Sequence, residues 1–158
     1  MSLALAVFLF LHVMGAIIAF GPVFTFPIIG AMGGKEPQHA NFATRVSAAV
    51  TDRLVEPLAI LQGITGILLI LIGKIDLFKS LWLLVGIVLY VTALTFALTT
   101  QRQTVRRIIE MTSTPPPPGA SGPPPALQEA VKRVQRGGAF LGIMVVVIVF
   151  LMVVRPTV

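Results

Sequence analysis

Residues 3 to about 30 of this chain hold no charged residue, and only His12, Pro22 and Pro27 interrupt their apolar character. Three further apolar runs follow: Leu54 to Gly73, Leu81 to Thr100 and Ala139 to Val154, the last lengthened by Gly137 and Gly138. A helix that crosses a bilayer needs about 20 mostly apolar residues. Each run is therefore read as a span, with boundaries near 3–30, 54–73, 81–100 and 137–154. Composition agrees: 56% of residues are hydrophobic and 11% charged, whereas soluble domains are about one quarter charged. No remainder is large enough for a second domain. Residues 1–158 are expected to form one all-α transmembrane four-helix bundle in contact with the lipid bilayer. No Lys or Arg precedes Lys35 and the first run is too long for a signal peptide, so the first helix is read as retained. Cysteine is absent, which excludes disulfides, thiolate ligands and iron–sulfur clusters.

The net charge of +6 would suggest a nucleic-acid partner in a soluble protein. Here the basic residues flank helix ends, and the positive-inside rule accounts for them. Lys35, Arg45, Arg53, Arg102, Arg106, Arg107, Lys132, Arg133 and Arg136 lie in the two long loops, and Lys74, Lys79 and Arg155 on the other side, nine against three. The expected topology places both termini in the periplasm and the long loops in the cytoplasm, in a multi-pass protein of the bacterial inner membrane. No nucleic-acid partner is expected.

Residues 112–125, TSTPPPPGASGPPP, carry seven of the twelve prolines and are read as a cytoplasmic linker of polyproline II character. The flanking RQTVRRIIEM and LQEAVKRVQR look helical and extend the third and fourth spans. Residues 35–53 are a polar, helix-compatible lead-in to the second, and His39 within them is given no role. The short loop GKIDLFKS makes the second and third spans antiparallel neighbours. No catalytic motif is visible (no Walker loop, GxGxxG, HExxH or GxSxG), and the chain is not demonstrably an enzyme.

Ionisable groups inside a membrane are costly and invite a functional reading. Glu56 lies near a span end, where it reaches water or pairs with Arg53. His12 and the phenol Tyr90 lie deep. Gly15, Ala16 and Ala19 share the face of His12 at helical spacing. That smooth face allows close helix packing or leaves room for a flat cofactor. The other spans carry similar seams: Ala59, Gln62, Gly63, Gly66 and Gly73; Gly86, Tyr90, Ala93 and Ala97; Gly138 and Gly142. Three readings of His12 stand side by side: a core histidine bonded to a neighbouring helix, a ligand to a cofactor, or a proton-handling group. Zinc or copper would need further ligands that the sequence does not place nearby. Haem needs one strong axial ligand from the protein, and a quinone needs one hydrogen bond. Counting from the span ends places His12, Tyr90, Thr65 or Gln62, and Val145 in one layer, with Tyr90 or Gln62 the expected partner of His12.

The stretches LHVMGAIIAFGPVF, DRLVEPLAILQGITGILLI and LWLLVGIVLYVTALTFALTTQRQTVRRI resemble a widespread bacterial family of predicted integral membrane proteins of unknown function. The resemblance covers the chain to about residue 111; the linker and fourth helix share its layout. HVMG in the first helix is also similar to the first-helix pattern of copper-resistance D domains and of the four-helix, haem-associated protoporphyrinogen oxidase membrane family. The last similarity implies haem b with His12 as its axial ligand and metal-binding residue. The chain departs from that enzyme in showing no lysine or arginine buried in a later helix. The candidate cofactor site comprises His12, Gly15, Gln62 and Tyr90, with Arg155 and Lys74 as outer cations for haem propionates. The leading expectation is a small bundle that binds haem b through His12, or an accessory subunit of a larger membrane complex or homo-oligomer. The alternatives are a transporter component and an enzyme resembling protoporphyrinogen oxidase.

The charge asymmetry yields a direct test of topology. A reporter active only in the periplasm is expected to give signal when fused at Val158. Signal from a fusion within Pro115–Pro125 instead would reverse the orientation.

Overall fold

A computed structural model describes residues 2–114 and 122–156. The central part of the proline-rich linker and the fusion point Val158 thus lie outside the described residues. All regular structure among the described residues is helical: α1 (Leu3–Phe20), α2 (Phe26–Lys35), α3 (Ala40–Val50), α4 (Glu56–Gly73), α5 (Leu81–Phe96), α6 (Arg102–Met111) and α7 (Pro125–Val154). These join into four rods long and apolar enough to span a membrane: Leu3–Lys35, Pro37–Gly73, Leu81–Met111 and Pro125–Val154. At 1.5 Å per residue even the 30-residue rod is about 45 Å long, well beyond a hydrocarbon core of about 30 Å. The extensions expected on both sides of the linker are therefore present, and the second span begins as a helix far upstream of residue 54.

Local sequence explains the joints. Pro22 and Pro27 sit in the first turns of the 3-10 helix Gly21–Phe24 and of α2, where a missing N–H costs little. The first rod bends there without ending. A π-helical turn, Thr51–Val55, links α3 to α4, and the Glu56 N–H reaches the Thr51 carbonyl five residues back. Pro57 lacks the N–H that would bond Arg53, and its ring crowds that carbonyl. A second π turn, Ala97–Gln101, links α5 to α6, where the Arg102 N–H reaches the Ala97 carbonyl. Thr99 and Thr104 bond back to Thr95 and Thr100 on either side of it, a pattern that bends helices.

The first rod packs mainly through α1 on α4, and the last two through α5 and α6 on α7, while α3 joins α2 and α6. One end of the bundle brings together Leu5 with Gly73, and Trp82 with Arg155. The start of α1, the end of α7 and the 74–80 loop lie at this end. The opposite end holds α2, α3, α6 and the start of α7, and Asn41 Nδ2 there donates to the Ile109 carbonyl (3.0 Å) and Thr112 Oγ1 (2.9 Å). Few side chains are enclosed, and large apolar ones such as Phe10, Ile17, Ile67 and Val88 face outward. Hydrocarbon solvates them without penalty, so cohesion comes from close packing and interhelical hydrogen bonds.

Glycines permit that closeness. A Cβ on Gly66 would meet His12 Cε1 at 3.3 Å, one on Gly63 would meet Tyr90 Oη at 2.8 Å, and one on Gly86 would meet Met152 Cε at 3.0 Å. On α7 the packed glycine is Gly137, not the expected pair: Gly138 has only a distant neighbour and Gly142 faces open space. The reason is Gln101, whose Nε2 donates to the Val134 carbonyl (3.0 Å) and whose side chain lies directly on Gly137. Gly137→Leu is expected to destabilise by about 1–3 kcal/mol through overpacking, and Gly142→Leu to leave stability unchanged. Thermal unfolding in mild detergent, followed by circular dichroism, measures both; equal losses would refute this packing.

Candidate functional site

His12 lies on α1 about nine residues, or roughly 14 Å, from its start, near mid-depth of the hydrocarbon. Its Nδ1 is 2.8 Å from Thr65 Oγ1 on α4. The Thr65 hydroxyl also lies 3.1 Å from the carbonyls of Leu61 and Gln62. If its single proton bonds back to one of them, an oxygen lone pair faces the imidazole, and neutral His12 donates from Nδ1–H and keeps the Nε2 lone pair; if the proton bonds Nδ1, the ring proton sits on Nε2. No described residue bonds Nε2, and His12 is part-buried rather than enclosed.

Thr65 is thus the ring partner, where Tyr90 or Gln62 was expected. Gln62 is adjacent, but its Nε2 donates to the His12 main-chain carbonyl at 2.8 Å. Tyr90 sits one turn toward the basic end and donates to the Ala59 carbonyl at 2.6 Å. Counting depth along each rod placed all three in one neighbourhood. It did not reveal that two of them would be consumed by main-chain carbonyls. Gly15 is covered by Gln62, whose Oε1 would lie 2.9 Å from an added Cβ, and Ala19 is fully buried. The small-residue face of α1 is therefore filled by α4 and offers no flat slot between the two helices. Chemically, the free Nε2 fits a single axial ligand, with its opposite nitrogen anchored as such imidazoles usually are. A planar group would have to approach from outside the α1–α4 pair.

The two outer cations have other engagements. Lys74 and Arg155 each adopt the left-handed conformation that ends α4 and α7, at φ 50° and 48°, where positive charge complements the helix dipole. Arg155 also stands over the Trp82 ring at 5.7 Å and donates from Nε to the Met152 carbonyl at 3.3 Å. Lys74 is at the end of the rod that carries Thr65, whereas Arg155 belongs to the α5–α7 side.

A second polar centre escaped the sequence reading. Glu56 Oε2 pairs with Arg102 Nη1 at 3.2 Å, and Asp52 Oδ1 with Arg102 Nη2 at 3.5 Å. Glu56 thus pairs across to α6 and not with Arg53. A basic residue does lie partly buried in a later helix, with 36% of its side chain exposed. Glu56 and Arg102 each close one of the two π turns, and π turns recur at functional sites. Glu56 Oε1 and Arg102 Nε have no partner among the described residues. The signal available in sequence was Asp52 and Glu56 one turn apart. Their partner depends on how far each π turn shifts its rod.

The profile of the family described as "Predicted integral membrane protein (DUF2269)" matches residues 6–156, almost the whole chain. The chain belongs to this family. No curated protein and no solved structure matches it. Membership agrees with the four apolar rods in making this an integral, multi-pass membrane protein. The first-helix histidine and the Glu56–Arg102 pair both fall within the matched region of this family member.

Removing Arg102 leaves Glu56, only 9% exposed, without its counter-charge. Loss of one partner of a buried pair costs about 3–5 kcal/mol, and exposed pairs contribute under about 1 kcal/mol. For a cation of intermediate exposure, Arg102→Gln is expected to cost on the order of 2 kcal/mol. Adding Glu56→Gln should recover part of that loss. A double variant less stable than Arg102→Gln alone would show that the pair is not the coupling unit.

Proposed function

We propose that this chain is a non-catalytic binding subunit of the bacterial cytoplasmic membrane, with both termini periplasmic, that binds haem b through His12. The supporting observation is the Thr65 contact, which anchors Nδ1 and leaves Nε2 without a partner among the described residues at mid-depth. A quinone carbonyl would instead need the tautomer that donates from Nε2. Haem b bound there would supply a one-electron centre inside the low-dielectric membrane. The chain's own contribution is positional. Thr65 fixes the ring, Gln62 ties the His12 main chain to α4, and Gly66 lets the imidazole edge lie against the helix. Such a subunit would work within a larger membrane complex or homo-oligomer.

The orientation rests on charge. The end opposite the termini carries nine of the twelve basic residues, as the positive-inside rule requires of a cytoplasmic face.

The test is the absorption spectrum of protein purified in mild detergent after expression with haem supplied. A Soret band is expected, absent in His12→Ala. Thr65→Val should retain it with haem affinity weakened about tenfold or more, the usual effect of removing an outer partner of a ligating histidine. A colourless wild-type preparation would overturn the reading.

A further inference from the structure

The basic end has a depth profile that charge counting alone does not reveal. Trp82, beneath Arg155, marks one membrane boundary, and an aromatic ring suits that interface. Twenty residues further along the same rod stands Arg102, about 30 Å away. That distance equals the hydrocarbon thickness, so Arg102 marks the opposite boundary. Arg106 and Arg107 follow on α6 within about 8 Å of depth. The antiparallel α7 is registered against this rod by Gln101, which bonds Val134 and covers Gly137. Equal steps from that contact place Lys132 and Arg133 beside residues 103–104, and Arg136 beside residue 100. Arg53 adjoins Asp52, which is paired with Arg102.

Six cations, Arg53, Arg106, Arg107, Lys132, Arg133 and Arg136, therefore occupy a layer about 10 Å deep at 1.5 Å per residue. That is the depth of the headgroup region bordering the core. All six are exposed, and none forms an ion pair among the described residues. Asp52 and Glu56 in the same layer are committed to Arg102. With Glu110, Glu129 and Arg45 of α3 included, the layer still holds eight basic residues against four acidic ones. At the other end Lys79 is engaged by Asp76, and Arg155 by Trp82.

We infer that this ring of cations on α6, α7 and the turn before α4 binds the headgroup phosphates of anionic phospholipids in the leaflet it crosses. The inference is independent of His12. Phosphate suits the site because guanidinium groups bond its oxygens in pairs, and cations beside an anionic leaflet are strongly attracted to it. A simple orientation signal needs only net charge in the loops. Binding needs the cations at phosphate depth and free of acidic partners, as they are here.

The full chain in neutral detergent can be titrated with phosphatidylglycerol or phosphatidylcholine, with retained lipid counted by native mass spectrometry. Retention of phosphatidylglycerol is expected to exceed that of phosphatidylcholine about tenfold or more, and to fall steeply with salt. Quadruple substitution R106Q/R107Q/K132Q/R133Q should bring the ratio to within about twofold, while K74Q/K79Q at the other end leaves it unchanged. These positions are exposed, so circular dichroism should show both variants folded. Equal retention of the two lipids by the wild type would overturn the inference, as would equal loss from K74Q/K79Q. Displacement of phosphatidylglycerol by equimolar inorganic phosphate would assign the site to free anion and overturn the lipid assignment.

Discussion

Main-chain carbonyls bonded by side chains from neighbouring helices, two near mid-membrane and two toward the basic end, hold this bundle in register. Gln62 reaches the His12 carbonyl, Tyr90 that of Ala59, Gln101 that of Val134, and Asn41 that of Ile109. Each bond joins two rods, and together they link the first to the second, the second to the third and the third to the fourth. Lipid tails are as apolar as leucine, so hydrophobic burial does not drive these helices together. Interhelical hydrogen bonds in membranes contribute only about 0.6–2 kcal/mol each. Their larger effect here is to fix depth and rotation, because an unbonded amide or phenol in hydrocarbon costs more than the bond returns.

Glycine makes those bonds possible. Gly15 admits Gln62, Gly63 admits Tyr90 and Gly137 admits Gln101. The same close approach shapes the histidine site. Because α4 fills the small-residue face of α1, His12 meets a hydroxyl where an open slot was conceivable, and the ring is oriented through Nδ1. Packing and site are therefore one feature: residues that read as a cofactor cradle serve as a helix interface, and what remains for chemistry is one imidazole nitrogen at its edge.

The bilayer accounts for the placement of charge. Trp82 and Arg102 stand one hydrocarbon thickness apart on the same rod, and the only carboxylate within the apolar runs, Glu56, lies at the Arg102 level. Between these levels the polar groups on α4 and α5 are uncharged, and those with partners bond to main-chain carbonyls or, for Thr65, to His12. The rods continue past the basic boundary because α3 and α6 are amphipathic and cover one another, Thr104 and Ile108 being buried there.

The four spans, their alternation, the helical extensions beside the linker and the depth shared by His12, Thr65, Gln62 and Tyr90 were legible in sequence. Hydropathy over about 20 residues and a rise of 1.5 Å per residue determine them without reference to any neighbour. Tertiary structure decided which group each polar side chain bonds. Thr65, rather than Tyr90 or Gln62, takes the imidazole, and Arg102, rather than Arg53, takes Glu56. Those outcomes turn on rotations of a fraction of a helical turn. The π turns set the second, each inserting one residue into its rod and so turning the side chains beyond it, and the packing of α1 on α4 sets the first. Hydropathy has no period fine enough to register that shift, whereas the packed glycines and shared carbonyls do.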